Sequence, residues 1–139
     1  MKNYERKAYY HETDQMGVVH HSNYLKWMEE ARIDFMDQLG FGYKQMEKIG
    51  IISPVVSVAI EYKNSVHFDD IVAIELEVKV YNGIRLELNY RIVNTKTGVL
   101  CATATSKHCF IKDGRIISLK KELPEFQKNY EKFFGLNED

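Results

Sequence analysis

Cysteine and proline are scarce in this 139-residue chain, two of each, and neither sign of charge is in marked excess. Cys101 and Cys109 are too few for a disulfide framework and lack the paired Cys and His spacing of a zinc site, so both read as ordinary strand or core residues of a reducing compartment. Long hydrophobic runs are absent as well. The longest uncharged stretch, Ile49 to Ile60, is broken by Gly50, Ser53, Pro54 and Ser57, so neither a membrane span nor a secretory leader is expected, and the location expected is cytoplasmic. With 19 Lys and Arg against 20 Asp and Glu, and Lys scattered among Glu, no footprint for nucleic acid is left. What is present is 45% hydrophobic residues on a chain long enough to bury about two thirds of its unfolded surface. That describes one globular domain over residues 1–139.

The pattern along the chain places the elements. Lys2 to His11, rich in Tyr, reads as a strand running into a polar loop. Tyr24, Met28, Ala31, Phe35 and Leu39 then recur at three- and four-residue steps, with Leu25 and Met36 widening the stripe, which predicts an amphipathic helix from Asn23 to Leu39. Ser22 or Asn23 is its expected N-cap, and Gly40 sits where a left-handed C-terminal residue belongs. A shorter helix is expected from Tyr43 to Lys48, closed by Gly50. Beyond Ile51 the period changes to two. Val72, Ile74, Leu76, Val78 and Val80 stand opposite Glu75, Glu77 and Lys79; Ile84, Leu86, Leu88, Tyr90 and Ile92 alternate with Arg85, Glu87, Asn89 and Arg91; and Asn82-Gly83 between the two rows predicts a tight hairpin. With strands at Val55 to Lys63, Val99 to Lys112 and Arg115 to Leu119, joined at Thr95 to Gly98 and at Asp113-Gly114, the expectation is an antiparallel meander. A final helix is expected from Glu122 to Phe134, starting near Pro124. The fold class is therefore α+β, a sheet wrapped around one long helix, with outer strands that a second copy would complete.

Reactive side chains are densest from Tyr10 to His21, between the first strand and the long helix. A helix N-terminus offers amide hydrogens without intrahelical partners and a partial positive charge, suited to polarising a carbonyl. Asp14 lies in the loop feeding that terminus, where a carboxylate can act as general base or nucleophile, and Gly17 would let the backbone approach a substrate closely. Those are the parts of acyl transfer. Simpler readings stand beside them: Asp14 as a turn-former bonding its own backbone, His21 as a structural histidine, Glu12 as a solvated carboxylate, and Glu29 and Glu30 as helix surface charges with Arg32 as partner. Tyr10 is expected to be half-buried. His20 and His21, being adjacent, make a poor metal pair, and no metal is expected.

The spacing of Tyr10, Asp14, Gly17, Val19, His21, Tyr24, Glu29, Ala31 and Arg32 resembles the signature of the hot-dog-fold acyl-CoA thioesterases of the 4-hydroxybenzoyl-CoA thioesterase family, nearest to the subgroup associated with the bacterial Tol-Pal system. Val58 to Tyr62 and Asp69-Asp70 extend the likeness along most of the chain; His20 and Ser65 depart from it. The resemblance implies a curled antiparallel sheet around a long helix, dimers joined edge to edge and often paired into a homotetramer, and an acyl-CoA substrate with no cofactor beyond the coenzyme A it carries. It also implies roles: Asp14 as catalytic carboxylate, the His21 amide polarising the thioester carbonyl, and Tyr10 and the His21 ring assisting. Gly17, Val19 and Tyr24 would line the substrate site. Lys63 is a candidate cation for the coenzyme A phosphates, with Lys107, Lys112 and Arg115 also available. An acyl-carrier-protein thioesterase, a hydratase of the same fold and a non-catalytic acyl-binding module are the alternatives.

Overall fold

The computed structural model describes residues 1–40 and 42–134. The apolar stripe becomes helix α1, Ser22–Gln38, which buries Tyr24, Trp27, Met28, Ala31, Phe35 and Met36. Leu25, counted in the stripe, is instead 46% exposed, because the core meets a narrower face of the helix than the pattern implied. The cap also differs. His21 holds the cap position, and the ring of His20 supplies the acceptor, its Nδ1 lying 2.8 Å from Ser22 Oγ and 3.2 Å from the Ser22 amide. Asn23 turns inward and donates to the carbonyls of Glu12 and His20. At the other end Gly40 has φ +84, as the C-terminal position requires. Helix α2 follows at Tyr43–Lys48 and ends at Gly50.

Five strands form the main sheet: β1 (Tyr4–Lys7), β3 (Val55–Tyr62), β4 (Ile71–Tyr81), β5 (Leu86–Asn94) and β6 (Leu100–His108), after a short β2 at Ile51–Ile52. Their order is β1-β4-β5-β6-β3, antiparallel throughout. The central three make the expected meander, but β3 does not sit beside β4. The outer edge of β4 is taken by β1, with Tyr4 opposite Ile74, so β3 crosses to the free edge of β6.

The Asn82-Gly83 hairpin is wider than expected, since Tyr81 pairs with Leu86 and four residues lie between. Asn82 Oδ1 accepts the amides of Ile84 and Arg85, and Ile84 leaves the apolar row for the exposed loop. The long last strand is interrupted too. After β6 the chain leaves the sheet, and β7 (Ile111–Lys112) pairs with β2 and with β8 (Arg115–Ile116) across the two-residue turn Asp113-Gly114, both residues at positive φ. A single turn, α3 (Leu119–Glu122), precedes α4 (Pro124–Phe134), which buries Phe126 and Tyr130.

One core cluster joins α1, α4 and the sheet, including Trp27, Phe35, Ile74, Leu88, Ile92 and Phe126. Cys101 belongs to it, and Cys109 is half-buried, both as free thiols. Strand β3 stands apart: Val55, Val56, Val58 and Tyr62 are all exposed along an unpaired edge. Among the described residues no helix is long and apolar enough to cross a membrane.

Candidate active site

Glu12 organises the loop between β1 and α1. Tyr10–Glu12 makes one turn of 3-10 helix that carries the Glu12 side chain into the interior, where it accepts from Arg6 at 2.6 Å, from Trp27 Nε1 at 3.0 Å and from the Tyr9 amide at 2.8 Å. It is a buried ion pair, not the solvated carboxylate expected. Burial alone would raise its pKa, but the donors Trp27, Tyr9 and Arg6 together outweigh burial and hold the carboxyl below its usual value. Its carbonyl, meanwhile, accepts from the His20 amide and from Asn23, tying the loop to the start of α1.

Asp14 is exposed on the next turn. Its Oδ1 accepts the amides of Met16 at 2.8 Å and Val18 at 3.2 Å, and its carbonyl accepts from Gly17, which has φ +76. The turn-forming reading is therefore realised, through one oxygen only. Among the described residues nothing donates to the other. The turn is pinned to the neighbouring segment by Phe68 donating to the Gly17 carbonyl and by Val19 donating to Val66.

A cleft of about 370 Å³ opens between this turn, the start of α1 and the end of β3. Asp14, Val19, His21, Tyr24 and Lys63 share it, so five of the seven residues singled out in the sequence come together. Among the described residues no group accepts from the His21 amide, while its carbonyl accepts from Tyr24 and from the Tyr62 hydroxyl. The His21 ring stacks on His20 at 4.3 Å and meets the edge of Tyr62 at 6.0 Å. Tyr24 and Val19 are buried walls. Burial, with the neighbouring Cys101 thiol second, pushes the Tyr24 hydroxyl up to about 12, so it stays a neutral phenol. Lys63 pairs with Glu61 at 3.1 Å on the rim; Lys107, Lys112 and Arg115 do not line the cleft.

Two expected residues lie outside it. Tyr10 is 74% exposed rather than half-buried, because the 3-10 turn that sends Glu12 inward sends Tyr10 outward, where its ring meets Phe68 edge-on at 5.5 Å. Gly17 shapes the turn and is not in the lining; a Cβ there would meet nothing within 4 Å, so its positive φ, not close approach, is what calls for glycine. Arg32 is no surface partner either, being buried while it pairs with Glu29. Asn64 and Ser65 close the cleft, Asn64 unmarked by any sequence pattern and Ser65 noted only as a departure from the family resemblance, while Tyr62 figured only for its place in a strand. Among the described residues no three His, Cys, Asp or Glu side chains are grouped to hold a metal ion.

This arrangement belongs to a known class of proteins. Residues 10–130, the loop, the cleft and most of the sheet, match the Thioesterase-like superfamily, and the chain belongs to that superfamily. Its relatives are more particular. The Bacillus subtilis protein YneP, provisionally named an acyl-CoA thioesterase, is 41% identical over 130 residues, 92% of this chain and 94% of its own. The Haemophilus influenzae acyl-CoA thioesterase YbgC is 28% identical over 120 residues, 84% of this chain and 87% of its own. Among solved structures, a DHNA-CoA thioesterase from Staphylococcus aureus superposes with a TM-score of 0.88 at 38% identity, covering 95% of this chain and 89% of that one. The curled antiparallel sheet around α1 is accordingly the hot-dog fold of these enzymes.

Proposed function

We propose that this protein is an acyl-CoA thioesterase that hydrolyses its substrate to a free acid and coenzyme A. The observation that carries the reading is a carboxylate, Asp14, with one oxygen left over from its turn, sharing a cleft with the amide-bearing N-terminus of α1. The names of the relatives supply the thioester. In this reading the His21 amide polarises the thioester carbonyl, aided by the positive end of the helix. Asp14 takes a proton from water as the oxygen attacks the carbonyl carbon, the C–S bond breaks, and the proton passes to the leaving thiolate. The alternative is direct attack by Asp14 on the carbonyl carbon, which breaks the C–S bond, releases the coenzyme A thiolate and leaves a mixed anhydride that water then cleaves.

The His21 ring positions water or the leaving thiolate, Val19 and Tyr24 wall the acyl group, and Lys63 meets a coenzyme A phosphate at the rim. Tyr10 lies outside the cleft of its own chain, so an assisting role there depends on a second subunit covering it. The exposed apolar edge of β3 supports such a partner, as a dimer or homotetramer. We take the protein to act as one domain over residues 1–139, cytoplasmic, nearest to the Tol-Pal-associated subgroup of the 4-hydroxybenzoyl-CoA thioesterase family, and without a cofactor of its own.

Asp14→Asn is a clean test, since an amide keeps the Oδ1 acceptor that holds the turn. Followed by release of free thiol from a panel of acyl-CoAs, it is expected to lose roughly 10² to 10⁴ in kcat. A loss below about tenfold in the folded variant overturns both roles for Asp14.

A further inference from the structure

Asn23, the second residue of α1, is buried at 8% exposure, and its side chain reaches back to the loop that precedes the helix. Its Nδ2 donates to the Glu12 carbonyl at 2.9 Å and to the His20 carbonyl at 3.2 Å. A side-chain amide has two donor hydrogens, and both are used. Because both partners are carbonyl oxygens, it is the NH2 group and not Oδ1 that faces them. Backbone amides take the remaining places: His20 donates to the Glu12 carbonyl at 2.9 Å, and Asn23 donates to the His20 carbonyl at 3.0 Å. Each of these two oxygens thus accepts twice, which fills its lone pairs.

The two carbonyls mark the two ends of one loop. Residues 13–19, with Asp14 among them, leave at Glu12 and return at His20, and the bond from the His20 amide to the Glu12 carbonyl already closes that loop. What the Asn23 side chain adds falls on the His20 carbonyl, which shares a peptide group with the His21 amide. The carbonyl and the N–H of a trans peptide point in opposite directions. Donors that grip the His20 oxygen from the Asn23 side therefore turn the His21 N–H away from them, and among the described residues no group accepts from it. Accepting two hydrogen bonds also polarises that peptide and makes its N–H the stronger donor.

We propose that Asn23 is a positioning residue: its side-chain amide fixes the His20–His21 peptide so that the His21 amide hydrogen meets the thioester carbonyl, and it clasps to the same point the loop that carries Asp14. Asn23 is not in the lining of the cleft and acts through its neighbours. This rests on the thioesterase reading and adds a residue to it. The effect belongs on kcat, because the hydrogen bond that Asn23 aims strengthens as charge develops on the carbonyl oxygen.

Two substitutions separate aiming from packing. Asn23→Ala removes both donors. Asn23→Ser, almost as small, puts back a hydroxyl that can donate to the carbonyl three residues earlier, that of His20, but is too short for Glu12. By free-thiol release from a panel of acyl-CoAs, Asn23→Ala should lower kcat roughly 10²-fold with KM within about threefold of wild type. Asn23→Ser should recover to within about tenfold of the wild-type kcat. Should Asn23→Ala fail to fold, Asn23→Leu, which keeps the bulk of the side chain, takes its place.

The peptide itself can be observed. His20-His21 is the only pair of adjacent histidines in the sequence, so labelling histidine with 15N and carbonyl 13C leaves a single cross-peak in a spectrum that correlates each amide with the preceding carbonyl. Its carbonyl shift should move upfield in Asn23→Ala, as the loss of a hydrogen bond requires, and return toward wild type in Asn23→Ser. The proposal is overturned by a kcat within about threefold of wild type in folded Asn23→Ala, by a loss carried in KM, by an Asn23→Ser no faster than Asn23→Ala, or by an unmoved cross-peak. If wild type releases thiol from no acyl-CoA, the thioesterase reading fails by itself, and the cross-peak alone decides whether Asn23 holds the peptide.

Discussion

Glu12 and His108 are both buried titratable groups, and both make the fold sensitive to acid, in different windows. Glu12 has a folded pKa below its ordinary 4.5, so its contribution is complete above that value and is lost as pH falls through the folded one. For His108 the folded value is about 4 against an ordinary 6.5, so the unfolded chain takes up the proton first, and stability is complete above about 6.5 and declines as pH falls toward 4. Urea midpoints should therefore fall in two stages on acidification, the upper one worth at most about 3 kcal/mol, and His108→Gln should remove that upper stage. A midpoint flat from pH 7 to 5 would contradict the buried neutral ring. Glu12→Gln removes the more buried of Arg6's two carboxylate partners, Glu30 at 2.9 Å being the other, and should cost about 2 kcal/mol at neutral pH, seen as a lower midpoint at unchanged slope. Neither residue was legible in the sequence. Glu12 gains its partners from β1 and α1, on either side of its own loop, and His108 gains its neighbours from β5 and β6, so no local pattern marks them. That Asp14 and His21 lie beside one cleft was legible, because the helix start and the turn before it are both marked in the local sequence.

At the scale of elements, what local period and turn chemistry determine was readable, and what pairing determines was not. The α1 stripe, the alternation in β4 and β5 and the Asp113-Gly114 turn all follow from neighbouring residues. The place of β3 follows from β1 already holding the other edge, a fact about residues some fifty positions away. The Asn82–Arg85 loop shows the two kinds of constraint together. Gly83 has φ +89, which turn chemistry anticipates, but an added Cβ would also stand 2.9 Å from Ser118 Oγ and from Lys120 Cγ, side chains from beyond the sheet. Gly83→Ala should therefore cost about 2 kcal/mol, while Gly98→Ala, with φ +74 and nothing within 4 Å, should cost about 1 kcal/mol. Thermal melts of the two variants side by side check the order. An equal loss in both would show that Ser118 and Lys120 simply move aside.

Among the described residues the outer edge of β3 is unpaired, with Val55, Val56, Val58 and Tyr62 exposed along it. Val56, which does not line the cleft, is the place to ask whether a second copy covers that edge. On the oligomer reading, Val56→Lys should yield monomers by size-exclusion chromatography with light scattering and lower kcat/KM at least about tenfold; a wild type already monomeric at micromolar concentration overturns that reading. On that same reading, the strand with the open edge is also a wall of the cleft, so a partner that covers the edge would complete the wall against which substrate lies. Association and substrate binding would then strengthen each other by mass action: dilution should lower turnover per subunit, and saturating ligand should hold the assembly together at concentrations where the free protein comes apart.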